Sequence, residues 1–154
     1  MAIQKADGYV ANGNTGRVGP ITAKLWCTEA VTAGQWIALY YSDTTNPAGL
    51  AGFSFRLADS DNADATYGTV GVALETTTAA GYVQVQIAGY NASAYTVAAV
   101  AAGSFLVVDA LAGSVDAFAA EGINFRIVGQ CLVDTSATRG EVVIYMHPMF
   151  VGNV

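Results

Sequence analysis

From Trp26 onward the chain runs as short apolar stretches separated by clusters of Gly, Asn, Asp and Thr. QWIALYY (35–41), FLVVD (105–109), FRIVGQCLV (125–133) and EVVIYM (141–146) are the clearest. Runs of roughly 4 to 8 residues with such punctuation predict the strands of an all-β sandwich or barrel. Within them the side-chain period is two. Val83, Val85 and Ile87 alternate with Gln84 and Gln86, which sends one face to a core and the other to water. Further on, Val142, Ile144 and Met146 alternate with Val143, Tyr145 and His147, and both sets are largely apolar. A strand covered on both sides lies centrally in a sheet or against another subunit. Val143, Tyr145 and His147 are therefore expected at an oligomer interface. Helix signals are scarce. AYTVAAVAAG (94–103) has the alanines a helix favours, yet its valines and Gly103 suit a strand or turn equally well. Residues 109–122 are equally ambiguous.

The pattern occurs twice. VGVALETTTAAGYVQVQI (70–87) is echoed by VGQCLVDTSATRGEVVIYM (128–146), and Ala33-Gly34-Gln35-Trp36-Ile37 by Ala102-Gly103-Ser104-Phe105-Leu106. Each repeat, about 32–90 and 101–147, reads as a turn, an aromatic-led strand, a loop, a strand opening on Val-Gly, a turn, and a returning strand. The matched residues are apolar or Gly rather than acids, bases or nucleophiles, so the repetition preserves packing. Neither repeat alone covers its apolar face. The expectation is a compact barrel or sandwich built from two related halves.

Residues 1–25 read differently. DGYVANGNTGRVGP carries four glycines, two asparagines and a proline, which break regular structure. This segment is expected to be an extended N-terminal arm preceding a single β domain at 26–154. Tyr9, Val10, Val18 and Ile21 are its apolar residues, and they would gain from a docking surface on a partner.

Composition sharpens this picture. A chain of 154 residues fits one domain. Only 12% of residues are charged and 53% are hydrophobic, with a mean hydropathy of +0.41. The charged share is about half that of an ordinary soluble domain, which points to surface hidden against neighbours. The net charge of −6, with no basic stripe, argues against nucleic-acid binding. No apolar run reaches the ~20 residues of a membrane-spanning helix. The first residues lack the apolar core of a secretory signal, so synthesis in the cytoplasm is expected. Cys27 and Cys131 read as two buried thiols, although spacing alone leaves a bridge open.

Candidate chemistry is thin. His147 is the sole histidine, so any Ser-His-Asp or Cys-His site would have to use it. It stands before Pro148 at a strand end, the place of a surface or interface histidine. DSDNAD (59–64) groups Asp59, Asp61 and Asp64, but Asp64 stands where a calcium loop needs Gly, and Val70 where it needs a bidentate Glu. A solvated loop is the expectation. Glu75 and Asp134 occupy similar places in the two repeats and, if adjacent, could exchange protons; turn roles suit them better. Arg56, Arg126 and Arg139 are expected in ion pairs. GNTGRVG is Gly-rich but follows no strand, so it offers no phosphate cradle. No catalytic, metal or cofactor site is expected, and the chain is not expected to be an enzyme. A carbohydrate-binding module is the main rival, with Trp26, Trp36, Tyr40 and Tyr41 as an exposed platform.

The stretches at Ala101–Val108, Ala112–Val115, Val128–Leu132 with Asp134, and Gly140–Ile144 resemble the head decoration (capsid cement) proteins of tailed phages. The first repeat's VGVALE (70–75) is similar to the same motif. The resemblance spans roughly residues 30 to 146. It implies an all-β fold, a homotrimer, and a virion structural protein on the outer surface of the capsid, where it bridges neighbouring copies of the major capsid protein. It also makes Tyr9, Val10, Val18 and Ile21 candidate capsid contacts. A tail or head-fibre component is the nearest alternative.

Overall fold

The computed structural model describes residues 9–10, 17–18, 20–40, 54–60, 68–118, 125–135 and 138–151. Among them there is no helix. Tyr9–Val10 (β1) and Arg17–Val18 (β2) form a small antiparallel ladder of their own. The remaining strands are Ile21–Cys27 (β3), Trp36–Tyr40 (β4), Ser54–Leu57 (β5), Thr69–Ala73 (β6), Gly81–Tyr95 (β7), Phe105–Val108 (β8), Val115–Ala117 (β9), Phe125–Cys131 (β10) and Arg139–Val151 (β11). They make one nine-stranded sheet in the order β3-β5-β4-β6-β7-β11-β10-β8-β9. β3 also pairs with β7, which closes the first five of these strands into a ring.

That order is a palindrome about the β7–β11 pair. On one side lie β6, β4 and β5; on the other lie β10, β8 and β9. The registers repeat as well. Trp36 faces Val72 and Ile37 faces Gly71 in the first half, as Phe105 faces Gln130 and Leu106 faces Gly129 in the second. Cys27 meets Phe55 in a parallel pairing, and Thr96 meets Val115 in the same sense. The second ring is thus closed by the far end of β7, which does there what β3 does in the first. β7 is fifteen residues long because it serves both halves. Its first part pairs with β3 and β6, its second with β11. The two related halves expected from the repeat are present in strand order and register.

Two buried clusters fill the structure. Cys27, Val31, Ile37, Phe55, Ala73, Val83 and Val85 occupy the first ring. The second cluster holds Val100, Leu106, Val108, Val115, Cys131, Val142 and Ile144, together with Trp36, Ala38, Ala58 and Val72 from the first half. Through these last four, the second cluster spans the junction between the halves. At the centre of each half a glycine permits close strand approach. A β-carbon on Gly71 would collide with the Gln86 carbonyl, and one on Gly129 with the Val143 carbonyl.

Three expectations take definite form here. The ambiguous stretch at 94–103 ends β7 and then turns, and within 109–122 residues 115–117 are strand. β11 lies between β7 and β10, so both its edges are paired; Val142 and Ile144 on one face are buried, while Val143 and Tyr145 on the other are half-buried. Ile21–Leu25, grouped by composition with the arm, belongs to the long β3 ladder against β7, so the boundary expected at residue 25 falls inside a strand.

Replacing Gly71 or Gly129 by Ala should destabilise the fold by about 3 kcal/mol, the upper part of the usual overpacking range. Gly81→Ala is the control, because its new methyl would meet nothing nearer than the Ala79 oxygen at 3.9 Å. Urea midpoints of the three variants check the contrast.

Candidate functional site

Among the described residues, the carboxylates of Glu29, Glu75 and Asp134 bond the chain's own backbone. Asp134 accepts the Ala102 N–H at 2.7 Å, and Glu75 accepts the Gln84 N–H. Glu75 thus closes the turn between β6 and β7, Asp134 ties its turn to the one before β8, and each carboxylate bonds within its own half. Glu29 accepts the Leu57 N–H at 2.9 Å. Arg56 lies 5.0 Å over the Tyr40 ring and Arg139 4.2 Å over that of Tyr95, so the two arginines with described side chains both use cation–π contacts. The described residues contain no group of three or more His, Cys, Asp or Glu placed to hold a metal ion. Asp61, Asp64, Tyr41 and the side chains of Arg126 and His147 lie outside the described residues.

Both thiols are free and buried, in different clusters, so no bridge joins Cys27 and Cys131. Burial, reinforced by the charge of Glu29, pushes the Cys27 thiol up to about 12. Burial also raises Cys131. Tyr90 is raised to about 12 by burial and then by Glu141, to whose carboxylate its hydroxyl donates at 2.8 Å. Groups shifted this way are held neutral and inert at ordinary pH.

The most developed feature is the junction of the two halves. Trp36 is fully buried, so it takes no part in the exposed aromatic platform considered for carbohydrate binding, which counts against that alternative. Its indole N–H donates to the Tyr95 carbonyl at 3.1 Å, and its ring edge stands over Gly129. The Trp36 N–H donates to the Gly113 oxygen, the Gly113 N–H to Ala58, and the Tyr95 N–H to Gly34. Beside this seam lies a buried polar knot. The Gln86 amide donates to the Ala88 and Tyr90 carbonyls, and Asn91 donates to Gln86 Oε1 at 3.0 Å. It satisfies the backbone of β7 near Gly89, whose φ is +95°.

The cross-strand pair next to the seam is conserved in place but changed in kind. Trp26 stands opposite Tyr82 in the first half, with rings 5.3 Å apart and edge to face. Tyr95 stands opposite Arg139 in the second, where the guanidinium also donates to the Tyr95 hydroxyl at 2.8 Å. The sequence alone does not identify Trp36 as the plug between halves. The available signal was the mismatch at equivalent positions, Trp36 against Phe105 and Val72 against Gln130.

The expected contact residues are spread over two regions. Tyr9 pairs with Val18, and Val10 with Arg17, while their side chains lie outside the described residues. Ile21 is exposed and opposes Ala88 at the far end of β3. Val143 and Tyr145 are half-buried on β11, and the Tyr145 hydroxyl donates to Gln130 Oε1 at 3.4 Å. His147 lies further along the same strand.

No family model matches this sequence, and no curated protein is significantly similar. The fold is similar to that of the head fibre gp8.5 N base of bacteriophage phi29, known from a crystal structure. That likeness has a TM-score of 0.50 at 11% sequence identity, and it covers 84% of this chain and 97% of the fibre base.

Trp36→Ala should cost roughly 3–5 kcal/mol, as expected for emptying a buried indole site. The equivalent change Phe105→Ala should cost under about 1 kcal/mol, since that ring is 40% exposed. Denaturant titration separates the two. In alkali the folded state holds the Cys27 and Tyr90 protons more tightly than the unfolded chain does. Stability should therefore be complete below pH 9 and fall as the pH rises through 12. Tyr90→Phe should flatten the part of this slope above pH 10.

Proposed function

We propose that this chain is a structural component of a phage head, seated on the capsid in the manner of a head-fibre base. The observation that carries the reading is the shared fold over nearly the whole length of the phi29 fibre base. The chemistry is in keeping with it. Glu29 and Asp134 accept backbone N–H groups distant in sequence, Arg56 and Arg139 cover tyrosine rings, and the thiols are buried, so these side chains serve cohesion. A shell component needs geometry and buried area rather than reagents; stable interfaces bury about 1,600 Å².

In this reading the partner is the head shell, with the major capsid protein offering the attachment site. Tyr9, Val10, Val18 and Ile21 lie on or beside the N-terminal ladder, the natural element to meet it. An extended segment can add itself to an exposed sheet edge, gaining backbone hydrogen bonds without a deep pocket. The capsid-bridging role implied by the decoration-protein resemblance places the molecule on the same outer surface. It differs in requiring contact with more than one capsid subunit.

Cryo-electron microscopy of virions carrying this chain, with and without deletion of residues 1–20, tests the proposal. Density for the β domain on the outside of the head, lost on deletion, is the expected result. Virions lacking the protein altogether, or carrying it only inside the head or on the tail, would overturn it. Density spanning two capsid subunits would identify the bridging form.

A further inference from the structure

The first ring is closed by a short parallel contact and then by a strap. β3 and β7 run together from Ile21 to Cys27, but β3 and β5 share only the register pair Cys27–Phe55. There the Thr28 N–H donates to the Phe55 carbonyl at 2.8 Å. In a parallel ladder the next rung would take the Leu57 N–H to the Thr28 carbonyl. The Leu57 N–H instead donates to Glu29 Oε1 at 2.9 Å, so a side chain replaces the backbone and the ladder stops. The chain then crosses the end of the ring to the turn between β6 and β7. Val31 exchanges backbone hydrogen bonds with Thr77, and the Ala33 N–H donates to Thr76 Oγ1 at 3.0 Å. Within 28–33 only Val31 is buried, and it belongs to the cluster that holds Cys27, Phe55 and Val83.

The second half builds the same strap with a different fastening. Thr96 meets Val115 as Cys27 meets Phe55, and the Val97 N–H donates to the Val115 carbonyl. Val100, buried like Val31, bonds Thr135 through both its N–H and its carbonyl. The amide at the register of Leu57 is that of Ala117, and the carboxylate that takes it, Asp116 at 2.7 Å, belongs to β9 itself. Ala98 stands in the place of Glu29. We infer that residues 28–33 form a lid on the first ring, with Glu29 as its latch and Val31 as its plug, and that this lid opens locally while the rest of the fold stays closed. The strap grips β5 through the Phe55 carbonyl, shared by the Thr28 N–H and hydroxyl, and through the exposed Leu57–Glu29 bond. Exposed hydrogen bonds and few buried apolar side chains mark segments that open at low free-energy cost. Opening frees the Phe55 carbonyl and Leu57 N–H as a sheet edge. It also uncovers Cys27, which lies at the closing pair and is fully buried when the lid is shut. The inference rests on the strap alone and is independent of the proposed attachment to a head.

Alkylation of the folded full chain with iodoacetamide, with Cys27 and Cys131 resolved by peptide mass spectrometry, tests it. The wild-type Cys27 rate should be flat in urea well below the unfolding midpoint, because a local opening exposes little surface. Glu29→Ala should speed labelling of Cys27 roughly tenfold, the effect of losing one charge-assisted hydrogen bond, and leave Cys131 unchanged. Asp116→Ala should leave Cys27 unchanged, since that carboxylate is bonded within its own strand. Glu29→Gln removes the charge but keeps an acceptor oxygen, and should stay within about threefold of the wild type. A Cys27 rate that Glu29→Ala does not raise, or that climbs with urea from the start, would overturn the inference. So would equal acceleration of both cysteines, which signals global loosening. Glu29→Gln labelling as fast as Glu29→Ala would overturn it too, since charge near the thiol, and not the latch, would then set the rate.

Discussion

The structure depends on one strand doing two jobs. β7 closes the first ring by pairing with β3 and β6, then crosses the junction and pairs with β11 in the second. Neither half has a complete set of backbone partners without it. Because buried N–H and C=O groups must be paired, detaching one half from β7 would strand a ladder of polar groups in the other. Trp36 adds the side-chain counterpart of this constraint, as its indole leaves the first ring and is buried in the core of the second. The Gln86–Asn91 knot then holds the backbone where β7 passes from one role to the other.

Among the described residues the few charged groups are used within the fold: Glu29 and Asp134 accept backbone N–H groups distant in sequence, and Arg56 and Arg139 lie over tyrosine rings. What is left over is apolar and sits on the surface. Phe105 is 40% exposed at the position whose first-half equivalent, Trp36, is fully buried at the junction of the halves. The fold therefore accounts for part of the unusual composition through buried clusters in both halves, one of which spans their junction.

Much of this was legible in the sequence because packing constraints are repeated there residue by residue. Gly71 and Gly129 recur since both sit where a β-carbon would strike the adjacent strand. The turns before β4 and β8 recur since both need a glycine with positive φ. The buried face of β11, Val142 and Ile144, was legible in its alternation. Other features left no such trace. β3 and the second part of β7 are equivalent in the sheet, yet ITAKLWC and the residues after Ala88 have little in common beyond aromatics at Trp26 and Tyr95. A closing position fixed mainly by backbone bonds tolerates varied side chains, so periodicity was silent about it. The burial of Gln86 was also hidden, because a glutamine in an alternating strand reads as solvent-facing until its buried partners are seen. Trp36 could equally have been a surface platform, and only the seam decides that it is a plug.

Cooperativity is the property most directly at stake. If β7 and Trp36 bind the halves into one unit, differential scanning calorimetry at a concentration favouring monomers should give a single transition. Its calorimetric and van't Hoff enthalpies should agree, with a ratio of about one. Two resolved transitions, one for each half, would contradict the account.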